Sequence, residues 1–153
     1  MRIRLAKKQD FKNILPLFKE LDLKHSKNSN DVREKIPEER YKRIFQSIFN
    51  EKTDYVLTVV EDYNIIIAFA LGKIITLKNN LVYKNNNIGE ILYVIVKDEY
   101  KMIGIGKKLM ADLEVRLKSN GAKKLELRVY NFNKETLPEK VGFKPKYTVY
   151  EKH

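Results

Sequence analysis

A Gly-Ile-Gly step at residues 104–106 separates two segments that have different hydrophobic periods. The preceding residues, Glu90–Val96, are mostly apolar and include β-branched side chains, which predicts a buried strand. The following leucines recur at every fourth position and predict one face of a helix over residues 107–119. A strand that passes through glycines into a helix exposes the first amides of that helix, where anions bind. We therefore expect a fold built around an anion-binding turn.

The other segments show one or the other of these two periods. Helical spacing predicts a helix over 11–21, which Pro16 should kink, and a second helix from Pro37 to about residue 49. Further strands are predicted at Arg2–Leu5, Tyr55–Val60, Ile65–Leu77, Leu125–Tyr130 and Phe143–Tyr150, and a short helix at Lys134–Val141. Gly72 predicts a bulge or bend in the long strand. Polar connections are predicted at 22–33, 61–64, 78–87 and 97–103. The order β-α-α-β-β-β-α-β-α-β favours an α/β (α+β) fold, a mixed sheet with helices on its faces.

Length and composition narrow the class of protein. The 153 residues fit one domain, which we expect to span 1–153. The absence of cysteine excludes disulfides, thiolate zinc sites and iron–sulfur clusters, and two histidines make a histidine-rich metal site improbable, so no metal is expected. The longest apolar run, Ile65–Leu71, is far shorter than the roughly 20 residues of a membrane helix. Because the N-terminal residues also lack the apolar core of a secretory signal, we expect a soluble, cytoplasmic protein with no membrane partner.

The net charge suggests a polyanionic partner. Thirty-one Lys and Arg against 20 Asp and Glu give +11, which suits nucleic acid, a membrane surface or a phosphorylated cofactor. The cations are mostly lysine and occur in pairs at most, such as Lys107-Lys108, rather than in blocks. This dispersal argues against nucleic-acid binding and for a solvated surface, although a basic nucleic-acid-binding domain stays as a third alternative.

The glycine step has the character of a phosphate-binding turn. Lys101, Lys107 and Lys108 add positive charge at the same helix end. The step does not match the dinucleotide fingerprint, because Leu109 stands at the third glycine position, and it lacks the spacer and hydroxyl residue of a P-loop. The alternative is a loop whose glycines only turn the chain.

Two segments resemble the motifs of one family. Residues 96–110 (Val-Lys-Asp-Glu-Tyr-Lys-Met-Ile-Gly-Ile-Gly-Lys-Lys-Leu-Met) resemble the acetyl-CoA-binding motif of the GNAT (Gcn5-related) N-acetyltransferases. Residues 127–131, followed by 138–143 (Pro-Glu-Lys-Val-Gly-Phe), resemble that family's second motif. The element order is similar over the whole chain. The resemblance implies a GNAT-like mixed, mostly antiparallel central sheet with helices on both faces.

The resemblance also implies roles for individual residues. The pyrophosphate of acetyl-CoA would be held by backbone amides of Lys101, Met102, Ile103, Gly104, Ile105, Gly106 and Lys107. Val94 and Val96 would pair with the pantetheine arm in a gap beside their strand, and an amide near Ile95 or Val96 would stabilise the oxyanion. Asn131 matches an asparagine near the pantetheine.

The implied reaction is direct transfer of an acetyl group from acetyl-CoA to a primary amine. A protonated amine must first lose a proton, and Glu90 is the best-placed carboxylate for a general base, or else a strand-end glutamate in solvent. Pro138 replaces the tyrosine that protonates the leaving thiolate in many members. Tyr93, Tyr130 and Tyr147 are candidates to replace that acid, or else they pack in the sheet.

Because Pro138 replaces that tyrosine, a second hypothesis stays open, in which the protein binds acyl-CoA or a partner but transfers no acyl group. The sequence leaves several classes of amine acceptor open: a polyamine, an aminoglycoside, a protein N-terminus or a lysine side chain. Its site should be shaped by residues 22–50 and 78–89, whose carboxylates, Asp22 among them, either favour a cationic amine or lie on the surface. A homodimer is compatible with the resemblance.

Overall fold

A computed structural model describes residues 1–129 and 137–152. The strands are β1 (Arg2–Leu5), β2 (Tyr55–Asp62), β3 (Ile65–Leu77), β4 (Asn86–Val96) and β5 (Lys124–Leu127). The helices are α1 (Phe11–Asn28), α2 (Glu38–Ile48), α3 (Ile105–Ser119) and the short α4 (Leu137–Lys140). Two short 3-10 turns lie at Lys8–Asp10 and Asp98–Tyr100.

The five strands form one sheet in the order β1-β2-β3-β4-β5. Neighbouring strands are antiparallel from β1 to β4, because short connections join β2 to β3 and β3 to β4. β5 is parallel to β4, since the chain returns through α3 before it pairs. The prediction of a mixed, mostly antiparallel sheet is confirmed.

Helices cover both faces of the sheet, as predicted. On one face α1 and α2 pack through aromatic side chains, and the Phe18 ring stacks on Phe69 of β3 with 5.5 Å between centroids. On the other face α3 packs through leucines spaced by four residues, all of which are fully buried: Leu109, Leu113 and Leu117. Leu117 reaches so close to the sheet that a Cβ on Gly72 would lie 2.9 Å from its Cδ1, which is why that strand position carries no side chain.

β4 carries a bulge at its centre. Leu71 of β3 pairs with Tyr93, whereas the next residue, Gly72, pairs with Ile91, so Leu92 is an extra residue in β4. The irregularity predicted at Gly72 is therefore confirmed. Because of the extra residue, Leu92 and Tyr93 both pack with the α1–α2 face although they are consecutive. The bulge thus turns the Tyr93 side chain to the face on which the first two helices lie.

The connection predicted at residues 22–33 is wrong in its first half. α1 continues through Pro16 to Asn28 and keeps residues 22–28 helical. Asp22 lies four residues after Phe18, on the buried face, and is only 4% exposed. Lys27 occupies the last turn, where positive charge meets the negative end of the helix dipole. A polar composition alone therefore did not indicate a loop.

The final predicted strand, Phe143–Tyr150, is also wrong, since residues 143–152 carry no strand. Pro145 lacks the amide hydrogen that a strand ladder needs. The side chains of Tyr147 and Val149 are 62% and 79% exposed, so the segment has no buried face that would hold it in the sheet. β5 also ends at Leu127 instead of Tyr130, and Tyr130 lies outside the described residues.

Within the described part of the chain, no helix has the length and apolar character needed to cross a membrane.

Candidate active site

β4 and β5 separate along their length. β5 pairs with Ile88–Ile91 only, and in the described residues no strand pairs with Leu92–Val96 on that side. Between the open edge of β4, α1, α4 and the start of α3 lies a cleft of about 1470 Å³. A gap beside the strand was expected from the resemblance, and the register places its beginning at the bulge.

The open edge presents alternate backbone groups to the cleft. The Lys97 amide donates to the Ile67 carbonyl oxygen at 2.9 Å, so Lys97 and, two residues earlier, Ile95 direct their backbone groups towards β3. By the same alternation Val94 and Val96 direct theirs into the cleft. These two are the residues predicted to pair with a pantetheine arm. The Ile95 amide faces β3, which leaves Val96 as the better placed of the two predicted oxyanion donors.

The turn before α3 holds a row of backbone amides without acceptors. Gly104 is the N-terminal cap of α3 with φ +85°, and Met102 has φ +64°, an unusual value for a residue with a side chain. Within the described residues, no hydrogen-bond acceptor lies on the amides from Met102 to Lys107, and the ladder of α3 begins only where Lys108 donates to Gly104 at 3.1 Å. Successive free amides at a helix N-terminus form a concave anion-binding nest.

Lysines lie at the same end of the cleft. Lys101 and Lys107 both line it. Lys101 forms an ion pair with Asp98, and the hydrogen bond from Lys101 lowers the pKa of the Asp98 carboxyl. This end of the cleft therefore combines oriented amides with positive side chains, as a bound diphosphate requires.

The structure brings most of the predicted site residues to this one cleft. Those that line it are Glu90, Tyr93, Val94, Ile95, Val96, Lys101, Met102, Gly104, Ile105, Gly106 and Lys107. Ile103 does not line it and is 63% exposed. Asn131 lies outside the described residues. In the described part of the chain, no three His, Cys, Asp or Glu side chains group as metal ligands would.

Glu90, the predicted general base, lies on β4. It faces the cleft from β4, and its side chain is 21% exposed. Its Oε1 lies 4.0 Å from Nε of Arg128, at the outer limit of an ion pair. Glu90 is therefore a half-buried carboxylate in the cleft rather than a strand-end side chain in solvent.

A second group of polar side chains was not anticipated. Arg40 of α2 donates from Nε and Nη2 to the two carboxylate oxygens of Asp22, at 2.8 and 3.0 Å. The same Nη2 donates to Oη of Tyr93 at 3.1 Å. All three residues line the cleft. Asp22 was expected either to attract a cationic amine or to lie on the surface, whereas it is buried and paired; its helical spacing from Phe18 was the available signal.

Two further groups surround this network. Burial, followed by a hydrogen bond to Asp22, raises the pKa of Tyr41 to about 12. His25 lines the same wall, and partial burial lowers its pKa. The network therefore fastens α1, α2 and β4 to one another along the cleft.

The two remaining candidates for a replacement acid are Tyr147 and Tyr130. Tyr147 lies on the exposed C-terminal segment and does not line the cleft, and Tyr130 lies outside the described residues. Pro138 of α4 does line the cleft, but its ring nitrogen carries no hydrogen to donate.

The chain thus combines a sheet that opens between β4 and β5 with a row of amides that have no acceptor among the described residues. The family model for the Acetyltransferase (GNAT) family matches residues 18–143, and the chain belongs to that family. No curated protein sequence matches the chain.

Solved structures share the fold at low sequence identity. A mutant of the BH1408 protein from Bacillus halodurans has a TM-score of 0.89 at 20% identity, covering 100% of this chain and 99% of that one. Glucosamine-6-phosphate N-acetyltransferase from Arabidopsis thaliana has a TM-score of 0.73 at 24% identity, covering 99% and 97%. A predicted acetyltransferase with acetyl-CoA from Clostridium acetobutylicum has a TM-score of 0.77 at 18% identity, covering 99% and 95%.

Proposed function

We propose that this protein is an N-acetyltransferase that moves the acetyl group of acetyl-CoA to a primary amine by direct attack. The observation that carries the proposal is the row of free amides from Met102 to Lys107 at the end of the open β4 edge. A diphosphate bound there would leave the thioester end to extend along β4 towards the bulge. We place the reaction in the cytoplasm and within a single domain over residues 1–153.

Each residue of the proposed site has a stated task. The amides of the turn, with Lys101 and Lys107, hold the pyrophosphate. Val94 and Val96 pair through their backbone with the pantetheine arm, and the Val96 amide stabilises the oxyanion.

Two side chains of β4 handle the protons. The Glu90 carboxylate takes the amine proton, directly or through a water molecule. The Tyr93 hydroxyl gives its proton to the leaving thiolate, in place of the tyrosine that Pro138 replaces. Tyr93 is suited to this task because, within the described residues, its oxygen accepts a hydrogen bond from Arg40 while its own proton has no acceptor.

A second function is favoured by one observation, the proline at position 138 on the cleft wall. A protein that bound acyl-CoA without transferring its acyl group would not need an acid there. Measurement of binding and turnover on the same protein separates the two functions.

The first experiment is a thermal melt followed by an assay of free thiol. Saturating acetyl-CoA should raise the Tm by roughly 5–10 °C, because a ligand that binds only the native state stabilises it. A panel of spermidine, kanamycin, glucosamine 6-phosphate and a lysine peptide then tests for thiol release. An unchanged Tm with acetyl-CoA and CoA removes the cofactor from the proposal, whereas a raised Tm without thiol release on any amine favours the binding protein.

Gly104→Ala tests the amides directly. A methyl group at φ +85° meets no atom within 4 Å, so it strains the backbone of the turn without a clash. A left-handed residue with a side chain costs about 1–2 kcal/mol, so the turn should relax in the free variant and binding must restore it. The Kd for CoA, measured by calorimetry, should therefore rise about tenfold. Gly142→Ala is the matched control, since Gly142 also has positive φ and open space but lies outside the turn. Equal effects of the two substitutions on Kd would contradict the assignment.

Glu90→Gln tests the base. The variant should lower kcat about 100-fold, and most strongly at low pH, where more of the amine is protonated. A variant with the wild-type pH profile excludes Glu90 from proton removal.

A further inference from the structure

We propose that Arg40, held by the buried carboxylate of Asp22, is a positioning residue that directs the Tyr93 hydroxyl at the leaving thiolate. The inference rests on the proposed function and adds a residue that neither the motifs nor the family match assigns. It concerns the wall of the cleft that α1, α2 and β4 form.

Arg40 is fixed in place from several sides. Its guanidinium shares two hydrogen bonds with Asp22, whose side chain is 6% exposed, so movement of Arg40 would leave that buried carboxylate unpaired. Its Cζ lies 5.3 Å from the ring centroid of Phe18 and 6.0 Å from that of Tyr93. An arginine held in this way presents its remaining Nη2 hydrogen in one direction only, and that hydrogen meets Oη of Tyr93.

Tyr93 is held at its other end by the backbone and by packing. The bulge at Leu92 turns its side chain to the α1–α2 face, and its ring packs edge-on against Phe18 with 5.1 Å between centroids. The hydrogen bond from Arg40 occupies one lone pair of Oη. The hydroxyl proton is thereby directed away from Arg40, and no acceptor for it lies among the described residues.

The proposed step balances as follows. The amine nitrogen attacks the carbonyl carbon, and its proton goes to Glu90 or water. The C–S bond breaks, the electron pair stays on sulfur, and sulfur takes the proton of Tyr93 Oη. The resulting phenolate oxygen keeps its hydrogen bond from the Arg40 cation, which offsets the new negative charge, and it recovers a proton from solvent before the next turnover.

A double-mutant cycle on kcat tests this coupling, with the fastest amine of the panel as the acceptor. Tyr93→Phe removes the hydroxyl and should lower kcat about tenfold. This loss is smaller than is usual for a general acid, because a thiolate is a good leaving group. Arg40→Lys keeps a charge beside Asp22, but one ammonium cannot match the planar fork, so it should also lower kcat about tenfold. In the Tyr93→Phe background the same substitution should change kcat less than twofold. The KM for acetyl-CoA should stay unchanged throughout.

The control and a second variant protect the test against effects on folding. Arg43→Lys lies on the same helix in an exposed pair with Glu39 and should leave kcat unchanged. If Arg40→Lys melts well below the wild type, the Asp22→Asn, Arg40→Gln double variant replaces it, since this variant leaves no unpaired buried charge.

Several results overturn the inference. Equal losses from Arg40→Lys in both backgrounds mean that Arg40 acts independently of Tyr93. A higher KM for the amine at unchanged kcat means that Arg40 binds the acceptor instead. If Tyr93→Phe keeps the wild-type kcat, Tyr93 is not the acid that protonates the thiolate. A wild-type protein that binds CoA but releases no thiol overturns the proposed transfer as well, and so separates that failure from the first three.

Discussion

Two buried arginine–aspartate pairs lie at different places in this protein. At the edge of the sheet, Arg4 of β1 donates two hydrogen bonds to Asp10, at 2.7 and 3.0 Å. In the cleft, Arg40 donates two to Asp22 at 2.8 and 3.0 Å. Both aspartates are 4% exposed, so the two carboxylates are alike in geometry and burial, although the Arg40 side chain is 33% exposed and that of Arg4 only 14%.

The pairs differ in where the remaining donors of each arginine go. Arg4 also binds Glu61 of β2 and the carbonyl oxygen of Leu5, so its bonds fasten the first strand and the following turn to the fold. Arg40 instead donates to a tyrosine hydroxyl on the wall of the cleft. In our proposal the same interaction stabilises the fold at the edge of the sheet and orients a reactive group in the cleft, and the residues that adjoin each pair decide which.

The largest expected effect concerns the pair at the edge. Arg4→Met leaves the carboxylates of Asp10 and Glu61 without their cation, and removal of one partner from a buried pair costs about 3–5 kcal/mol. Urea denaturation should show this loss, while kcat and the Tm rise caused by acetyl-CoA persist in the folded protein. Arg2→Met, an exposed neighbour on the same strand, should change the free energy of unfolding by less than about 0.5 kcal/mol. If Arg4→Met lowers kcat and leaves stability unchanged, the Arg4 pair also acts on the reaction, and the proposed difference between the two pairs is wrong.

The next effect appears at high pH and belongs to the cleft pair. The pKa of Tyr41, about 12, lies above its ordinary value of 10, so the folded state keeps this proton while the unfolded state loses it. The wild type should therefore lose about 2 kcal/mol of stability between pH 10 and 12 that Tyr41→Phe does not lose. Urea titrations at several pH values measure the difference. Tyr63→Phe, at a 91% exposed site, is the control, and equal alkaline slopes in Tyr41→Phe and the wild type would contradict the burial argument.

The smallest effect appears at low pH and belongs to the edge pair. The hydrogen bond from Arg4 lowers the pKa of Asp10 from its ordinary 3.8, so this carboxylate stabilises the fold above about pH 4 and the contribution is lost as the pH falls. Asp10→Asn should flatten the fall of stability between pH 4 and 2.5, and the exposed Asp31→Asn should not. If stability falls more steeply with decreasing pH in Asp10→Asn than in the wild type, the Asp10 carboxylate does not stabilise the fold.

Local patterns predicted the segments whose own residues suffice to define them. The leucines of α3, the β-branched run of β2 and the irregularity at Gly72 were all correct, because period and burial act within a few residues. The free amides were also predictable, since they follow from a glycine step between a strand and a helix. The C-terminal strand was not, because its aromatic residues favour a strand while Pro145 and the lack of a covering layer oppose one.

The sequence by itself determined the family, the element order up to α3 and the end of the cleft that presents amides, because all of these depend on neighbours along the chain. Only the tertiary structure decided that Asp22, Arg40 and Tyr93 meet, since they come from α1, α2 and β4 and lie up to 71 positions apart. A side-chain network of this kind depends on helix packing and on one extra residue in a strand. Neither the helix packing nor the extra residue produces a local sequence pattern from which the contacting residues could be predicted.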